Sequence, residues 1–217
     1  MNRSNFPRRQ LLALAFAAFA PPVLSALAAP PALSASDQAL VERARNYLRG
    51  LSSAMGRFTQ VDARGRTASG TFYLRRPGRA RFEYDPPSGL VVASNGFRVA
   101  VLDKRLGTLD AYPLGATPLA ILLSRDIRID KSVAIGSVRR HPGGFAIVAH
   151  EASKRGEGQI SLDFADPPVR LVGWTITDAQ GGATRVKLID FAPGKAMPNA
   201  FFELAPARDA AAKPPRT

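Results

Sequence analysis

The side chains that usually carry chemistry are few in this sequence and poorly spaced for it. Cysteine is absent, which excludes disulfides, thiol nucleophiles, thiolate metal sites and a lipid-anchoring cysteine. Two histidines, His141 and His150, flank a Pro142-Gly143-Gly144 turn. They lack zinc-site spacing, and His141 reads as a turn residue because a proline follows it. The acids Glu83, Asp85, Glu151 and Asp163 are scattered over strand-like segments, and nothing in their spacing pairs two of them for acid–base work. Gly156-Glu157-Gly158 lacks the third glycine of a dinucleotide loop, and no nucleophile-elbow or phosphate-loop motif occurs. No catalytic residue, metal or cofactor is therefore assigned, and the chain is read as a non-enzyme. One placement does stand out: an arginine immediately before a turn, Arg76-Pro77-Gly78. The proline removes a backbone donor and holds Arg76 extended, and the glycine tolerates positive φ.

That turn joins two alternating segments. Over residues 68–75, Ala68, Gly70, Phe72 and Leu74 alternate with Ser69, Thr71, Tyr73 and Arg75. Beyond the turn, Ala80, Phe82 and Tyr84 alternate with Arg79, Arg81 and Glu83. Period two marks half-buried strands, so this is a hairpin with an arginine fixed at its bend. Strands at 90–94 and 97–103 surround Asn95-Gly96, a hairpin signal in which both residues tolerate positive φ. A weaker strand follows at 106–112. Thr117-Pro118 reads as N-cap and first residue of a short apolar helix containing Leu119, Ile121, Leu122 and Leu123 and ending near Ser124-Arg125. Further strands are read at 133–140, 145–151, 159–164, 169–177 and 184–191, with a last short one at 201–204. Ahead of the sheet, Ser36 is expected to cap a helix starting at Asp37, with Leu40, Ala44, Tyr47, Leu48 and Leu51 on one face. Such spacing predicts an antiparallel sheet or barrel with few helices, and excludes a parallel α/β fold.

Several strands are apolar on both faces. Phe145, Ile147 and Ala149 alternate with Ala146 and Val148, and Val169 and Leu171 with Val172, Trp174 and Ile176. A sheet with one wet face does not look like this. Either helices cover the second face or the sheet curls around an apolar interior, which is then either tightly packed or a cavity.

The 217 residues, 46% apolar, suit one domain with a sizeable core. A net charge of +13 favours acidic partners or an anionic membrane surface, or simply keeps the protein soluble. The basic residues are dispersed and not interleaved with exposed aromatics, so no nucleic-acid partner is expected. Residues 1–28 read as a cleaved secretory signal: Arg8-Arg9, an apolar run over 11–19, and Ala26-Leu27-Ala28 as a small-x-small site. The run is too short to span a membrane, and Pro21-Pro22 interrupts it. A linker at 29–36, a β domain at 37–206 and a flexible tail at 207–217 complete the expected organisation. Export by the general or the twin-arginine route would place the protein outside the cytoplasm.

Taken in order, Phe58-Thr59-Gln60, Gly70-Thr71-Phe72, the stretch from Arg76-Pro77-Gly78 through Arg79-Ala80-Arg81-Phe82-Glu83-Tyr84, Asn95-Gly96, and Thr117-Pro118-Leu119 with Leu122-Leu123 resemble the LolA family of periplasmic outer-membrane lipoprotein carriers. The resemblance covers most of the chain after the leader. It implies a mainly β fold with some α: an incomplete, half-open antiparallel β-barrel with a lid of short helices over an apolar cavity. It implies a periplasmic monomer that binds the acyl chains of lipoproteins released by an inner-membrane ABC transporter. The cargo then passes to the outer membrane, through an outer-membrane lipoprotein acceptor where one is present.

In the family, the arginine of the Arg-Pro motif closes the lid, a role that carries over to Arg76. A guanidinium has five donors and can tie the orphan carbonyls at helix ends; a solvated turn arginine is the alternative. Phe58, Phe72, Phe82, Tyr84, Val92, Val99, Leu122, Leu123, Ile147, Trp174 and Ile176 are the candidates for the cavity lining, with ordinary core packing as the alternative for each. Strand parity alone does not say which face turns inward. Ala80 stands where many relatives carry a larger apolar residue, which alters the lining or leaves room there. Two other readings remain open: a lipid-sensing regulatory module, and an envelope scaffold with a packed interior. A membrane-spanning barrel fits poorly, because the strands are short and Arg79, Arg81 and Glu83 share a face.

Overall fold

A computed structural model describes residues 33–125, 133–152, 158–194 and 197–204. The leader, the C-terminal tail and Gly156-Glu157 lie outside them. Helix α1 (Ala35–Gly50) begins two residues before the expected start, with Ser34 rather than Ser36 as its N-cap. The Ser34 hydroxyl accepts the Asp37 N–H at 3.1 Å and donates to the Asp37 carboxylate at 2.7 Å. This reciprocal exchange needs the two residues three apart, and Ser36 is too close to Asp37 to make it. The helix buries Val41, Ala44 and Leu48, while Leu40 and Tyr47 are half-buried against the same core.

Eleven strands follow: β1 (Ser53–Val61), β2 (Thr67–Arg75), β3 (Arg79–Tyr84), β4 (Leu90–Asn95), β5 (Arg98–Asp103), β6 (Thr108–Pro113), β7 (Val133–His141), β8 (Gly144–Glu151), β9 (Gly158–Ala165), β10 (Arg170–Asp178) and β11 (Ala183–Pro193). They form one antiparallel sheet in the order β6-β5-β4-β3-β2-β1-β11-β10-β9-β8-β7. The chain starts in the middle at β1 and meanders to the β6 edge. It then crosses to the opposite edge, β7, and meanders back until β11 pairs with β1. The crossing includes a 3-10 turn (Leu114–Ala116) and helix α2 (Leu119–Leu123). β6 and β7 are the two ends of the order, so the sheet is not closed.

Three local readings shift. In the β4–β5 turn only Gly96 takes a positive φ, 103°. Asn95 stays at the strand end, and its carboxamide oxygen accepts the N–H groups of Phe97 and Arg98 at 2.9 and 3.1 Å. Asparagine therefore acts as an Asx-turn acceptor and does not enter the turn. Pro118, not Thr117, is the N-cap of α2, because the Thr117 hydroxyl turns back to the Leu114 carbonyl at 2.8 Å. The expected strand at 201–204 is instead part of a 3-10 turn, Asn199–Phe202, and its exit. This segment lies over β3 and β4, which are already paired on both sides and have no free ladder position for it.

In β10 a register shift between Leu171 and Gly173 brings Leu171 and Trp174 into the same core, which accounts for the second apolar face read in its sequence. The sheet carries two separate cores. The larger joins the inward face of the sheet to α1 and α2. The smaller lies on the outward face of β4 and β5, where Val91, Ala93, Ala100 and Leu102 pack with Leu204. β8 is buried on both faces, with Ala146 and Val148 outward. On that outward side the Arg139 guanidinium crosses to the Ser161 hydroxyl at 3.1 Å. Curvature is set partly by Gly70: a Cβ there would fall 2.2 Å from the Glu83 carbonyl and 2.7 Å from the Phe58 ring, so glycine lets that ring lie flat across β2.

Candidate functional site

Arg76 leaves β2 with its backbone N–H donating to the Ser52 carbonyl at 2.7 Å. Its guanidinium is buried, the residue being 8% exposed. One terminal nitrogen donates to the Leu48 carbonyl near the end of α1. The other donates to the Ser124 carbonyl just beyond α2, at 2.5 Å. Beside it the Gly78 N–H donates to the Leu123 carbonyl at 2.8 Å. Helix C-termini leave carbonyls without intrahelical partners, and this turn supplies donors to both helices. Helix α1 is also tied to the other half of the sheet: Arg140 pairs with Asp37 at 2.7 Å, and Arg43 reaches both oxygens of Asp166 at 2.7 and 2.5 Å. Arg76 therefore connects the β2–β3 turn to helices anchored over the β7–β10 half.

Beneath the helices, the register resolves the question of parity. Phe58 pairs with Gly70, which pairs with Tyr84; Phe72, Phe82 and Val92 form the next row. Val99 lies opposite Ser94, Trp174 opposite Leu162 and Val186, Ile176 opposite Ile160, and Ile147 opposite Leu162. All these candidates share the inward face and, with Leu122 and Leu123, meet in one apolar cluster; Tyr84, Val92 and Ile176 are half-buried at its margin. Ala80 is fully buried in the same cluster, opposite Leu74 and Ser94.

Phe58 packs edge-on against Phe82 and Tyr84, with centroids 5.5 and 5.1 Å apart, and Phe82 meets Trp174 at 5.9 Å. β3 and β10 have three strands between them, which in a flat sheet would separate them by about 19 Å. The ring contact thus measures how strongly the sheet curls. At the margin the Tyr84 hydroxyl donates to Gln60 at 2.7 Å, and burial pushes its phenol pKa up.

Other members of this cluster were not among the candidates for the lining. Phe145 stacks on Phe164 with centroids 5.3 Å apart, Tyr47 meets the edge of Phe164 at 6.3 Å, and Val41, Ile160, Leu162 and Leu188 are buried beside them. The alternation grouped the strand residues among them on one face, and the register shows that this face turns inward. The carbonyls of Leu48 and Ser124 had no such signal, since every residue carries one. Among the described residues no group of three or more histidines, cysteines or acids could hold a metal, and no helix is long and apolar enough to cross a membrane. The chemistry on offer is apolar contact beneath two helices tied by hydrogen bonds.

Residues 49–205 match the family of the outer membrane lipoprotein carrier protein LolA. The chain belongs to the LolA family. An outer-membrane lipoprotein carrier protein of Leptothrix cholodnii is 30% identical over 77% of this chain and 82% of its own length. That of Bordetella pertussis is 28% identical over 84% of this chain and 89% of its own length. A LolA superfamily protein of solved structure from Nitrosomonas europaea shares 10% identity, with a TM-score of 0.46, covering 77% of this chain and 97% of that one. The family is one of lipoprotein carriers, and the mainly antiparallel, unclosed sheet with few short helices is the architecture its resemblance implied.

Proposed function

We propose that the protein is a periplasmic carrier. It takes up the acyl chains of lipoproteins released from the inner membrane by an ABC transporter and delivers them to the outer membrane, through an acceptor where one is present. Residues 1–28 would direct export and be removed. The observation that best supports this reading is Arg76 bridging the ends of both helices above a continuous apolar face. Those bonds define a closed state, and cargo must displace it to reach the inward face.

The magnitudes favour such an arrangement. Burial contributes about 0.8 kcal/mol per methylene, on the order of 10 kcal/mol for one acyl chain. Full burial without an opposing term would hold cargo too tightly for release. Each closed-state hydrogen bond lost on loading offsets about 0.5–1.5 kcal/mol, and more where the donor is charged. Arg76 would therefore set how readily the carrier lets go. Arg76→Leu is expected to load acylated lipoprotein and to fail in delivering it to outer-membrane acceptor or vesicles. Delivery at the normal rate by that variant would overturn the role of Arg76.

The scaffold reading draws on the direct ring contacts of Phe58, Phe82 and Trp174 across the inward face. Titration with a hydrophobic fluorescent probe and with acylated and non-acylated lipoprotein separates the two. Capture that requires the acyl chains supports a carrier, whereas no capture and no probe uptake would leave a packed scaffold.

A further inference from the structure

Four large apolar residues are conspicuously exposed among the described ones: Phe97, Leu106, Tyr112 and Ile189. Two of them, Phe97 at 83% exposed and Tyr112 at 54%, belong to one corner of the sheet. Phe97 occupies the tip of the β4–β5 turn, and Tyr112 pairs with Val99 just inside that tip on the β6 edge. The Phe97 carbonyl accepts the Leu114 N–H at 2.9 Å, so the 3-10 turn that begins the crossing starts from this corner. The β2–β3 turn is its neighbour: a Cβ on Gly78 would fall 2.8 Å from the Gly96 Cα, and the Ser94 hydroxyl donates to the Gly78 carbonyl at 2.7 Å. The exposed aromatics therefore stand beside the turn from which Arg76 and Gly78 hold the helix ends.

Among the described residues, the charges at this end are mostly of one sign. Arg98 and Arg125 are exposed and Arg79 is half-buried. Glu203, which accepts from the Asn95 carboxamide at 3.1 Å, is the acid bonded to this corner. The exposed Phe97 side chain takes no part in making its turn, which is formed by the Gly96 backbone and by backbone bonds to the Asn95 carboxamide. Aromatic side chains flanked by arginines suit the boundary between lipid headgroups and acyl chains, with the cations facing anionic headgroups.

We infer that the Phe97–Tyr112 corner is a docking site for an anionic lipid surface. Docking there would set the helix ends and the Arg76 bonds next to the bilayer. The inference concerns the empty carrier and does not depend on cargo capture, so it stands or falls separately from the proposed function.

The test is flotation of the purified protein with vesicles of phosphatidylglycerol in phosphatidylcholine, and with phosphatidylcholine alone. Binding is expected only to the anionic vesicles and should weaken as salt rises. Phe97→Glu is expected to weaken it at least about tenfold, through lost apolar insertion and added repulsion. Leu106→Glu makes the same change at a 68% exposed position on the opposite end of β5, and should leave binding within about twofold. Unchanged thermal unfolding verifies that both variants fold. Equal losses in the two variants would reduce the effect to net charge and overturn the site. Failure of the unsubstituted protein to bind anionic vesicles would overturn it as well. If Phe97→Glu then impaired delivery, the corner would be a contact for a protein partner.

Discussion

Two buried arginines of the same hairpin hold chain segments to opposite faces of the sheet. Arg76, 8% exposed, reaches the Leu48 and Ser124 carbonyls and holds the helices over the inward face. Arg81, 3% exposed, holds the 197–204 segment over the outward face. It donates to Glu83 at 2.7 Å and to the Phe201 carbonyl at 3.1 Å, and its guanidinium lies 4.9 Å from the Phe201 ring centre. Arg75 adds bonds to the Met197 carbonyl at 2.7 Å and to Asn199 at 2.6 Å, and Tyr73 meets Phe201 edge-on at 4.8 Å. The outward segment is thus held by a carboxylate pair, a ring contact, backbone bonds and its own buried Phe202 and Leu204. The guanidinium bonds described for Arg76 run to main-chain carbonyls at helix ends. Such bonds can be exchanged for water when the helices move, whereas the outward set must break several kinds of contact together. Under the proposed carrier role the inward contacts are the ones that open, while the outward segment stays in place.

The largest effect in this comparison is expected from Arg81→Leu. It leaves Glu83, whose side chain is 32% exposed, without its guanidinium, and it removes the donor to Phe201. Breaking a fully buried pair costs about 3–5 kcal/mol, and the partial exposure of Glu83 brings the expected loss to about 2–3 kcal/mol. Urea unfolding at neutral pH measures it, and an unshifted midpoint would mean that the outward segment is not held by Arg81. Arg76→Lys should do less to stability and more to function. An ammonium cannot fork to two carbonyls in the guanidinium geometry, so one bond is lost, at about 1 kcal/mol. Delivery by this variant is expected to fall between that of the unsubstituted protein and Arg76→Leu. A stability loss larger than that of Arg81→Leu would reverse the contrast between the two arginines.

Much of this arrangement was legible in the alternation of residues. Phe72 and Leu74 against Tyr73 and Arg75 gave β2 its span and its two faces, and the breaks at Pro77 and Gly143 gave the turns. The resemblance singled out Arg76, but the carbonyls that its guanidinium reaches leave no trace in residue types. Arg81 read as one of the charged residues on the face of an alternating strand. Nothing within β3 announces that a segment 120 residues further along the chain will cover it. That segment, with Phe201 and Phe202 in succession, has the local composition of a strand. Only the full pairing of β3 and β4 excludes it from the sheet, and that is a property of the topology. The Asn95-Gly96 turn was placed correctly but misregistered by one residue, because the asparagine side chain competes for the role its backbone was assigned.

A third arginine on the outward face sharpens the contrast by removing burial from it. Arg57 reaches both oxygens of Asp85, one at 3.0 Å, and Asp85 also accepts the Ser69 hydroxyl at 2.7 Å. The two side chains are 43% and 37% exposed, so water screens this pair more than that of Arg81 and Glu83, at 4% and 32%. The Arg57 guanidinium, and after it the Ser69 hydroxyl, hold the Asp85 carboxyl below the usual carboxylate range. A carboxyl whose folded pKa is depressed stabilises the fold above its unfolded value, near pH 4, and that contribution is lost as the pH falls through the folded value. Asp85→Asn should therefore lower the thermal midpoint modestly at pH 7, within the range of exposed pairs, below about 1 kcal/mol. The variant and the unsubstituted protein should converge as the pH approaches 2. Midpoints recorded across that range decide the matter. Curves that stay parallel would mean that Asp85 acts through packing rather than charge, and a loss at pH 7 matching that of Arg81→Leu would mean that burial is not what distinguishes the two pairs.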